Sequence, residues 1–214
     1  MKIKWVFFDI DNTLFDTHRL ATSARKNAVK AMIRAGLKAK ESAAFKKLMQ
    51  IVKKYSSNYE GHFDKLVEAY NVPKEKRKRI VAAGIVEYHN TKFKLLKPFP
   101  AVKKTLQRLT ANGQRLGIIS NGVAVKQWDK LIRLNVSEFF DVVIISEEAG
   151  AAKPNAKIFK IALKRAGCKA QEALMVGDDP IDAAAEKVGM HAVIVKQGNF
   201  KKALNEIKKI ERKK

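Results

Sequence analysis

Short apolar runs alternate with helix-length segments along most of this chain, and this alternation restricts the possible folds more than any other feature. From residue 101 onward, apolar runs of strand length are separated by segments with helical spacing of apolar residues. Strands are predicted at Val6–Phe8, 115–119, 142–145, 173–176 and 192–195. Alternation of this kind is typical of a parallel sheet with helices on both faces, so we expect an α/β fold.

A long segment after the first strand lacks strand patterns and interrupts the alternation. Its apolar residues follow helical spacing, and prolines at 98 and 100 mark the return to the alternating pattern. Helices are predicted at 17–36, 41–54, 61–70 and 74–93. We therefore expect two domains: an α/β core formed by residues 1–16 and 98–214, and a helical domain formed by residues 17–97 inserted into it.

Two carboxylates follow the first strand directly. Asp9, Asp11 and Thr13 would share one side of an extended segment. They would also lie at the carboxyl end of a strand, where open α/β sheets bind ligands. Carboxylates this close repel each other unless a cation or proton lies between them, and a bound Mg²⁺ satisfies this condition. A turn in which Asp and Asn side chains accept hydrogen bonds from the backbone is the alternative.

Polar motifs also follow the later strands, in a fixed order. Ser120 and Asn121 end one apolar run, and Lys153 stands before a proline. Asp178 and the carboxylates behind it follow the run 173–176. Together with Asp-x-Asp-x-Thr, these motifs resemble the four motifs of the haloacid dehalogenase superfamily. The resemblance covers residues 3–15 and about 98–196. It implies a Rossmann-like core with a helical cap domain inserted after the first motif.

The resemblance also implies a chemistry for the first motif. Asp9 would be the nucleophile that becomes an aspartyl phosphate. Asp11 would protonate the leaving group and later activate water, and its backbone carbonyl would bind the metal. The dehalogenases of the superfamily generally lack the second aspartate, so Asp11 favours phosphoryl transfer.

The remaining motifs supply the surroundings of the phosphoryl group. The resemblance implies that the Ser120 hydroxyl, the Asn121 amide and Lys153 bind it. Thr13 is a further candidate on the substrate-binding side, where we expect its hydroxyl to support the loop and not to react. The resemblance makes Asp178 a direct Mg²⁺ ligand, together with the Asp9 carboxylate and the backbone carbonyl of Asp11. Asp179 and Asp182 remain alternatives for a residue behind the metal ligands or a partner of the lysine. Helical spacing from residue 178 favours Asp182.

These features predict a Mg²⁺-dependent phosphatase that hydrolyses a small phosphorylated metabolite. A 2-haloacid dehalogenase and a phosphomutase of the same superfamily are alternatives. The formal net charge of +23 leaves a nucleic-acid-binding protein on this scaffold as an alternative of another class.

Other properties of the sequence bear on where the protein works. It has a single cysteine and no apolar stretch near the roughly 18 residues of a membrane span, and its first residues run directly into a strand. We expect a cytoplasmic protein without a membrane partner, as a monomer or homodimer.

Overall fold

The computed structural model describes residues 2–196 and 198–212. The chain forms two compact units. One consists of Met1–Thr17 and Leu96–Lys214, and the other of His18–Leu95. Among the described residues, no helix has the length and apolar character needed to cross a membrane.

The sheet of the first unit is parallel throughout. Within the described residues it has five strands: β1 (Trp5–Phe8), β2 (Arg115–Ser120), β3 (Val142–Ile145), β4 (Ala173–Gly177) and β5 (His191–Ile194). Their spatial order is β3-β2-β1-β4-β5, so β1 lies at the centre. Phe8 pairs with Ile118 on one side and Val176 on the other. The predicted α/β class is confirmed, and the carboxyl ends of β1, β2 and β4 meet at one edge of the sheet.

Helices form in each of the four places predicted for the inserted segment. They are α1 (Thr17–Arg34), α2 (Glu41–Tyr55), α3 (His62–Ala69) and α4 (Lys74–Leu95). Their apolar faces meet in one buried cluster that includes Met32, Leu48, Leu66 and Ile80. A Cβ on Gly84 would come within 2.8 Å of the Met32 side chain, so this glycine allows α4 to pack closely on α1. Burial of these faces supplies the helical unit with a core of its own.

The remaining helices cover the sheet. They are α5 (Val102–Ala111), α6 (Ala124–Arg133), α7 (Ser146–Ala149), α8 (Ala156–Ala166) and α9 (Lys201–Arg212). Ile158 and Phe159 of α8 are fully buried and belong to a cluster with Phe7 and Met175 of the sheet. The short helix α7 was not expected from the sequence, because four residues are too few to show a helical period.

The segment after β4 differs from its prediction. The alternating pattern and the helical spacing from residue 178 predict an α-helix between β4 and β5, over 181–188, but Asp182–Val188 forms a 3₁₀-helix. The Asp182 N–H donates to the Asp179 carbonyl at 2.9 Å, and the Ala183 N–H donates to that of Pro180 at 3.1 Å. These bonds to the third preceding residue tighten the turn. Asp178 therefore lies before the helix, and residues 178 and 182 do not share a helical face.

Candidate active site

Asp9 lies at the centre of the carboxyl edge of the sheet. Its N–H donates to the Val176 carbonyl at 2.9 Å, which continues the pairing of β1 with β4 beyond the strand. The residue is buried, with 7% of its surface exposed. The Oδ1 atom accepts hydrogen bonds from the Ser120 hydroxyl at 3.0 Å and from Lys153 Nζ at 2.7 Å. A buried carboxylate beside a lysine is thus held at the end of the central strand.

Lys153 is fixed at both its backbone and its ammonium group. The Asn121 side chain donates from Nδ2 to the Lys153 carbonyl at 2.9 Å and accepts the Lys153 N–H at Oδ1 at 2.7 Å. Its Nζ, almost fully buried, donates to Asp9 and also to Asp182 Oδ1 at 2.5 Å. Burial alone would lower the pKa of Lys153, but the two carboxylates raise it above its usual range. The lysine therefore stays charged and is shared between them.

The structure answers the question of which acidic residue contacts the lysine. Asp182 is 1% exposed and is paired with Lys153, whereas Asp179 is exposed and accepts the Ile181 N–H at 3.0 Å. The backbone N–H of Asp179 in turn donates to Asp182 Oδ2 at 3.2 Å. A Cβ on Gly177 would overlap the Asp182 carboxylate, so the glycine that ends β4 provides its space.

Asp178 completes a cluster of three carboxylates. The hydroxyl of Thr13, which is fully buried, donates to Asp178 Oδ1 at 3.2 Å. Asp9, Asp178 and Asp182 each offer an oxygen, and these oxygens lie within 4.8 Å of one another. With Lys153 as the neighbouring cation, the ionised cluster carries a net charge of −2. This charge and these oxygen donors fit a hard divalent cation.

The pKa shifts of the three carboxylates also favour a bound cation. Burial raises the pKa of Asp9, and the Asp182 charge adds to the effect while Lys153 opposes it. Burial also raises the pKa values of Asp178 and Asp182 above the usual aspartate range. Carboxylates destabilised in their ionised form are stabilised by a bound cation, so the cluster is suited to holding one.

Asp11 has a separate set of contacts, formed with α6 and with the first residue of α1. Lys130 Nζ lies 2.7 Å from both of its carboxylate oxygens. The Thr17 hydroxyl donates to Oδ1 at 2.7 Å, and Gln127 Nε2 donates to Oδ2 at 3.2 Å. Burial would raise the pKa of Asp11, but Lys130 and the other donors hold it below its usual range.

Gln127 and Lys130 were not predicted from the sequence as site residues. The signal available was their position: both lie on the helix that directly follows the Ser120–Asn121 motif, three residues apart and so on neighbouring sites of its surface. Nothing in the sequence indicated that this face meets the first motif.

Comparisons with known proteins identify the family of this chain. Residues 6–195 match the family of haloacid dehalogenase-like hydrolases. The chain belongs to that family. This hydrolase is 46% identical over 195 residues to the glyceraldehyde 3-phosphate phosphatase of Methanothermobacter thermautotrophicus, which covers 90% of this chain and 85% of the relative. It is 48% identical over 198 residues to the phosphatase of the same name from Pyrococcus abyssi, covering 92% of this chain and 82% of the relative.

A solved structure of a phosphatase has the same fold. A haloacid dehalogenase phosphatase from Thermococcus onnurineus superposes with a TM-score of 0.62 at 25% identity, covering 93% of this hydrolase and 88% of that chain. The predicted superfamily, its phosphatase branch and the fold are thereby confirmed. The hydrolase brings all nine predicted site residues to one edge of its sheet or the loops that follow it: Asp9, Asp11, Thr13, Ser120, Asn121, Lys153, Asp178, Asp179 and Asp182.

Proposed function

We propose that this hydrolase is a Mg²⁺-dependent phosphatase that forms a phosphoenzyme on Asp9. The observation that carries the proposal is the position of this carboxylate: it ends the central strand, it is buried, and it contacts both Ser120 and Lys153. A carboxylate attacks phosphorus only where nearby cations offset the repulsion between the two anions, and Lys153 provides one of them.

Two side chains and one backbone group are proposed to hold the metal. They are the carboxylates of Asp9 and Asp178 and the carbonyl of Asp11. Asp182 remains paired with Lys153, so it acts behind the ligands and keeps the lysine aimed at Asp9. Bound Mg²⁺ would withdraw charge from the phosphoryl group and offset that of the carboxylates.

The reaction then divides into two steps in which Asp11 reverses its role. In the first, an oxygen of Asp9 attacks phosphorus, the bond from phosphorus to the leaving oxygen breaks, and protonated Asp11 donates its proton to that oxygen. In the second, Asp11 takes a proton from water as the water attacks phosphorus. The bond to Asp9 then breaks, releasing phosphate, and Asp11 is protonated again for the next cycle. The Ser120 hydroxyl and the Asn121 amide are proposed to donate to phosphoryl oxygens in both steps.

We propose glyceraldehyde 3-phosphate as the substrate and the helical unit His18–Leu95 as the cap domain. Support for the substrate comes from the two archaeal phosphatases of that name, which are similar to this chain over more than four fifths of their length. A compact three-carbon phosphate ester is also a small phosphorylated metabolite of the predicted kind.

Release of inorganic phosphate from glyceraldehyde 3-phosphate, with and without Mg²⁺, tests the proposal. We expect activity that requires the metal and that Asp9→Asn lowers on the order of 10³-fold or more, because the nucleophile is removed. Asp129→Asn, an isosteric change at an exposed carboxylate paired with Arg133, is the matched control and should retain activity. Full activity of Asp9→Asn, or of the metal-free enzyme, would contradict the mechanism. Activity on other phosphate esters but not on this one would contradict only the substrate.

A further inference from the structure

Neighbouring side chains hold both oxygens of the Asp11 carboxylate. Oδ1 accepts from Thr17 and Lys130, and Oδ2 accepts from Lys130 and Gln127. Two oxygens offer about four lone-pair sites in all, so these contacts hold the ionised form, and Asp11 releases one of them when it takes up a proton. Two of the three donor side chains, Gln127 and Lys130, come from the same helix, α6.

Gln127 also connects Asp11 to the loop after β2. Its Nε2 lies 2.9 Å from the Ser120 hydroxyl and 2.7 Å from the Asn121 carbonyl, in addition to its contact with Asp11. The amide must face this way, since its oxygen could not accept from a carboxylate or a carbonyl. One side chain thus joins the first motif to the residues proposed to bind the phosphoryl group.

Gly122 makes the space for this connection. A Cβ at residue 122 would lie 3.0 Å from Gln127 Nε2 and 3.2 Å from its Cδ, closer than side chains normally approach. The φ of Gly122 is +145°, which also favours glycine. The glycine of the Ser-Asn-Gly motif therefore admits the glutamine side chain beneath the loop.

The oxygen of the Gln127 side-chain amide lies in a less favourable environment than its nitrogen. Gln127 is 2% exposed, and its Oε1 has no hydrogen-bond partner among the described residues. A buried acceptor without a partner is destabilising, and an apolar side chain of the same shape would avoid that cost. The donor end of the same side chain, by contrast, contacts Asp11 and the phosphoryl-binding loop.

We propose that Gln127 and Lys130 are positioning residues that hold the Asp11 carboxylate in register with Asp9 and Ser120 for proton transfer. This inference rests on the proposed role of Asp11. Lys130 fixes both oxygens through a two-pronged contact, and Gln127 sets the distance to the phosphoryl-binding loop. Lys130 thus acts through Asp11, whereas Gln127 acts through Asp11 and through its contacts with Ser120 and Asn121.

Phosphate esters whose leaving groups differ in basicity distinguish a residue that positions Asp11 from one that only supports the fold. An alkyl leaving group needs a proton from Asp11 as it departs, whereas p-nitrophenolate departs without one. The value of kcat/KM reports only the steps up to transfer of the phosphoryl group to Asp9, so the shared hydrolysis step does not enter. Variants that misplace Asp11 should therefore lose kcat/KM on alkyl phosphates and retain it on p-nitrophenyl phosphate.

The experiment compares Lys130→Met and Gln127→Leu on both esters, with Mg²⁺ present. We expect kcat/KM for the alkyl phosphate to fall about 10- to 100-fold in each variant, mainly through kcat. For p-nitrophenyl phosphate, kcat/KM should change less than about threefold in Lys130→Met. In Gln127→Leu it should fall less than it does for the alkyl phosphate, because this side chain also contacts Ser120 and Asn121. Lys126→Met, the same substitution at an exposed lysine of α6, is the control and should behave as wild type. Lys130→Arg should restore part of the loss, because a guanidinium also donates to both carboxylate oxygens. Equal losses on the two esters, or no loss on either, would overturn the proposal.

A measurement that does not use activity checks the contact itself. Lys130→Met should lower the melting temperature by about 2–4 °C when Asp11 is present, and should leave it unchanged or raise it in an Asp11→Ala background. An equal decrease in both backgrounds would overturn the proposed pairing. If wild type hydrolyses neither ester, the proposed function fails as well. If wild type is active and the variants show equal losses, only the positioning role fails.

Discussion

At the scale of single residues, Lys153 and its two carboxylate partners determine the character of the site. One buried ammonium group is shared by Asp9 and Asp182, and the Asn121 side chain fixes the backbone that carries it. Because Asp182 has no access to solvent, its energetic role is to hold the lysine charged and in place. Asp179, its neighbour in sequence, has no contact of this kind: its side chain accepts a backbone N–H at the protein surface.

The two aspartates therefore form a matched pair for mutation. We expect Asp182→Asn to lower kcat about 10- to 100-fold, as removal of a residue that orients metal ligands or their partners typically does. Asp179→Asn should change kcat less than about threefold. Steady-state phosphate release from both variants checks this. Equal effects of the two changes would mean that the Lys153–Asp182 pair does not matter for catalysis.

Titration of the same cluster makes metal binding depend on pH. Burial raises the pKa values of Asp9 and Asp178, so in the metal-free protein these groups gain protons at a higher pH than they do in the unfolded chain. Their ionised forms therefore destabilise the folded state at neutral pH. This effect decreases as the pH falls below the raised pKa values and vanishes below the pKa of the unfolded chain. The proposed Mg²⁺ would bind the ionised forms and so compete with protons.

We accordingly expect saturating Mg²⁺ to raise the melting temperature by several degrees at pH 7.5 and by much less at pH 5. Thermal unfolding at the two pH values, with and without the metal, measures the difference. Asp178→Asn should reduce the rise at pH 7.5. A rise that is the same at both pH values would argue against carboxylate ligands.

At the scale of secondary-structure elements, the parallel sheet assembles the site. The pairing of Phe8 with Ile118 and with Val176 aligns the ends of three strands, so the residues after them meet. Two glycines near these ends leave space for side chains of the site. Gly177 ends β4 and leaves room for Asp182, and Gly122 follows β2 and leaves room for Gln127.

Substitution at the end of β4 tests this dependence on space. Gly177→Ala should destabilise the protein by about 2 kcal/mol or more, because the added methyl group overlaps the Asp182 carboxylate and forces it away from Lys153. Activity should fall as well. Gly113→Ala, where no atom lies within 4 Å of the added Cβ but φ is +82°, controls for backbone strain and should cost only about 1 kcal/mol. Denaturant unfolding compares the two, and equal costs would contradict the overlap.

At the scale of the whole molecule, the chain carries a formal net charge of +23, and we propose that its site binds an anion. A positive field raises the capture rate of anionic substrates and is screened by salt. It also leaves the predicted alternative of nucleic-acid binding open to measurement. Because contacts with phosphates release counterions, such binding would weaken steeply with salt.

We expect kcat/KM for glyceraldehyde 3-phosphate to fall about three- to tenfold between about 20 and about 200 mM salt, because screening slows capture of the anion. The value of kcat should remain nearly unchanged. Labelled double-stranded DNA should bind at the lower salt concentration only, as expected for nonspecific attraction. Anisotropy titrations measure this. Tight binding of DNA at the higher concentration would favour the nucleic-acid alternative.

The sequence by itself determined the parts of this protein that depend on local pattern. Apolar periodicity predicted strand 115–119, observed as Arg115–Ser120, and helix 41–54, observed as Glu41–Tyr55. The polar residues after each strand then identified the Asp9 and Asp178 sites, because parallel strands bring their carboxyl ends together whatever their order. These results follow from interactions between residues near one another in the chain.

Only the tertiary structure decided which of these groups touch. The pairing of Lys153 with Asp182 instead of Asp179 depends on a 3₁₀ turn and on the space left by Gly177. The contact between Lys130 and Asp11 joins residues 119 positions apart. It requires β2 to lie beside β1, since α6 follows β2 in the chain. Hydropathy patterns carry no information about such distant polar contacts, since these depend on the order of strands and on angstrom-scale packing. The pair of carboxylates at the end of β1 was therefore predictable, while the residues that hold them were not.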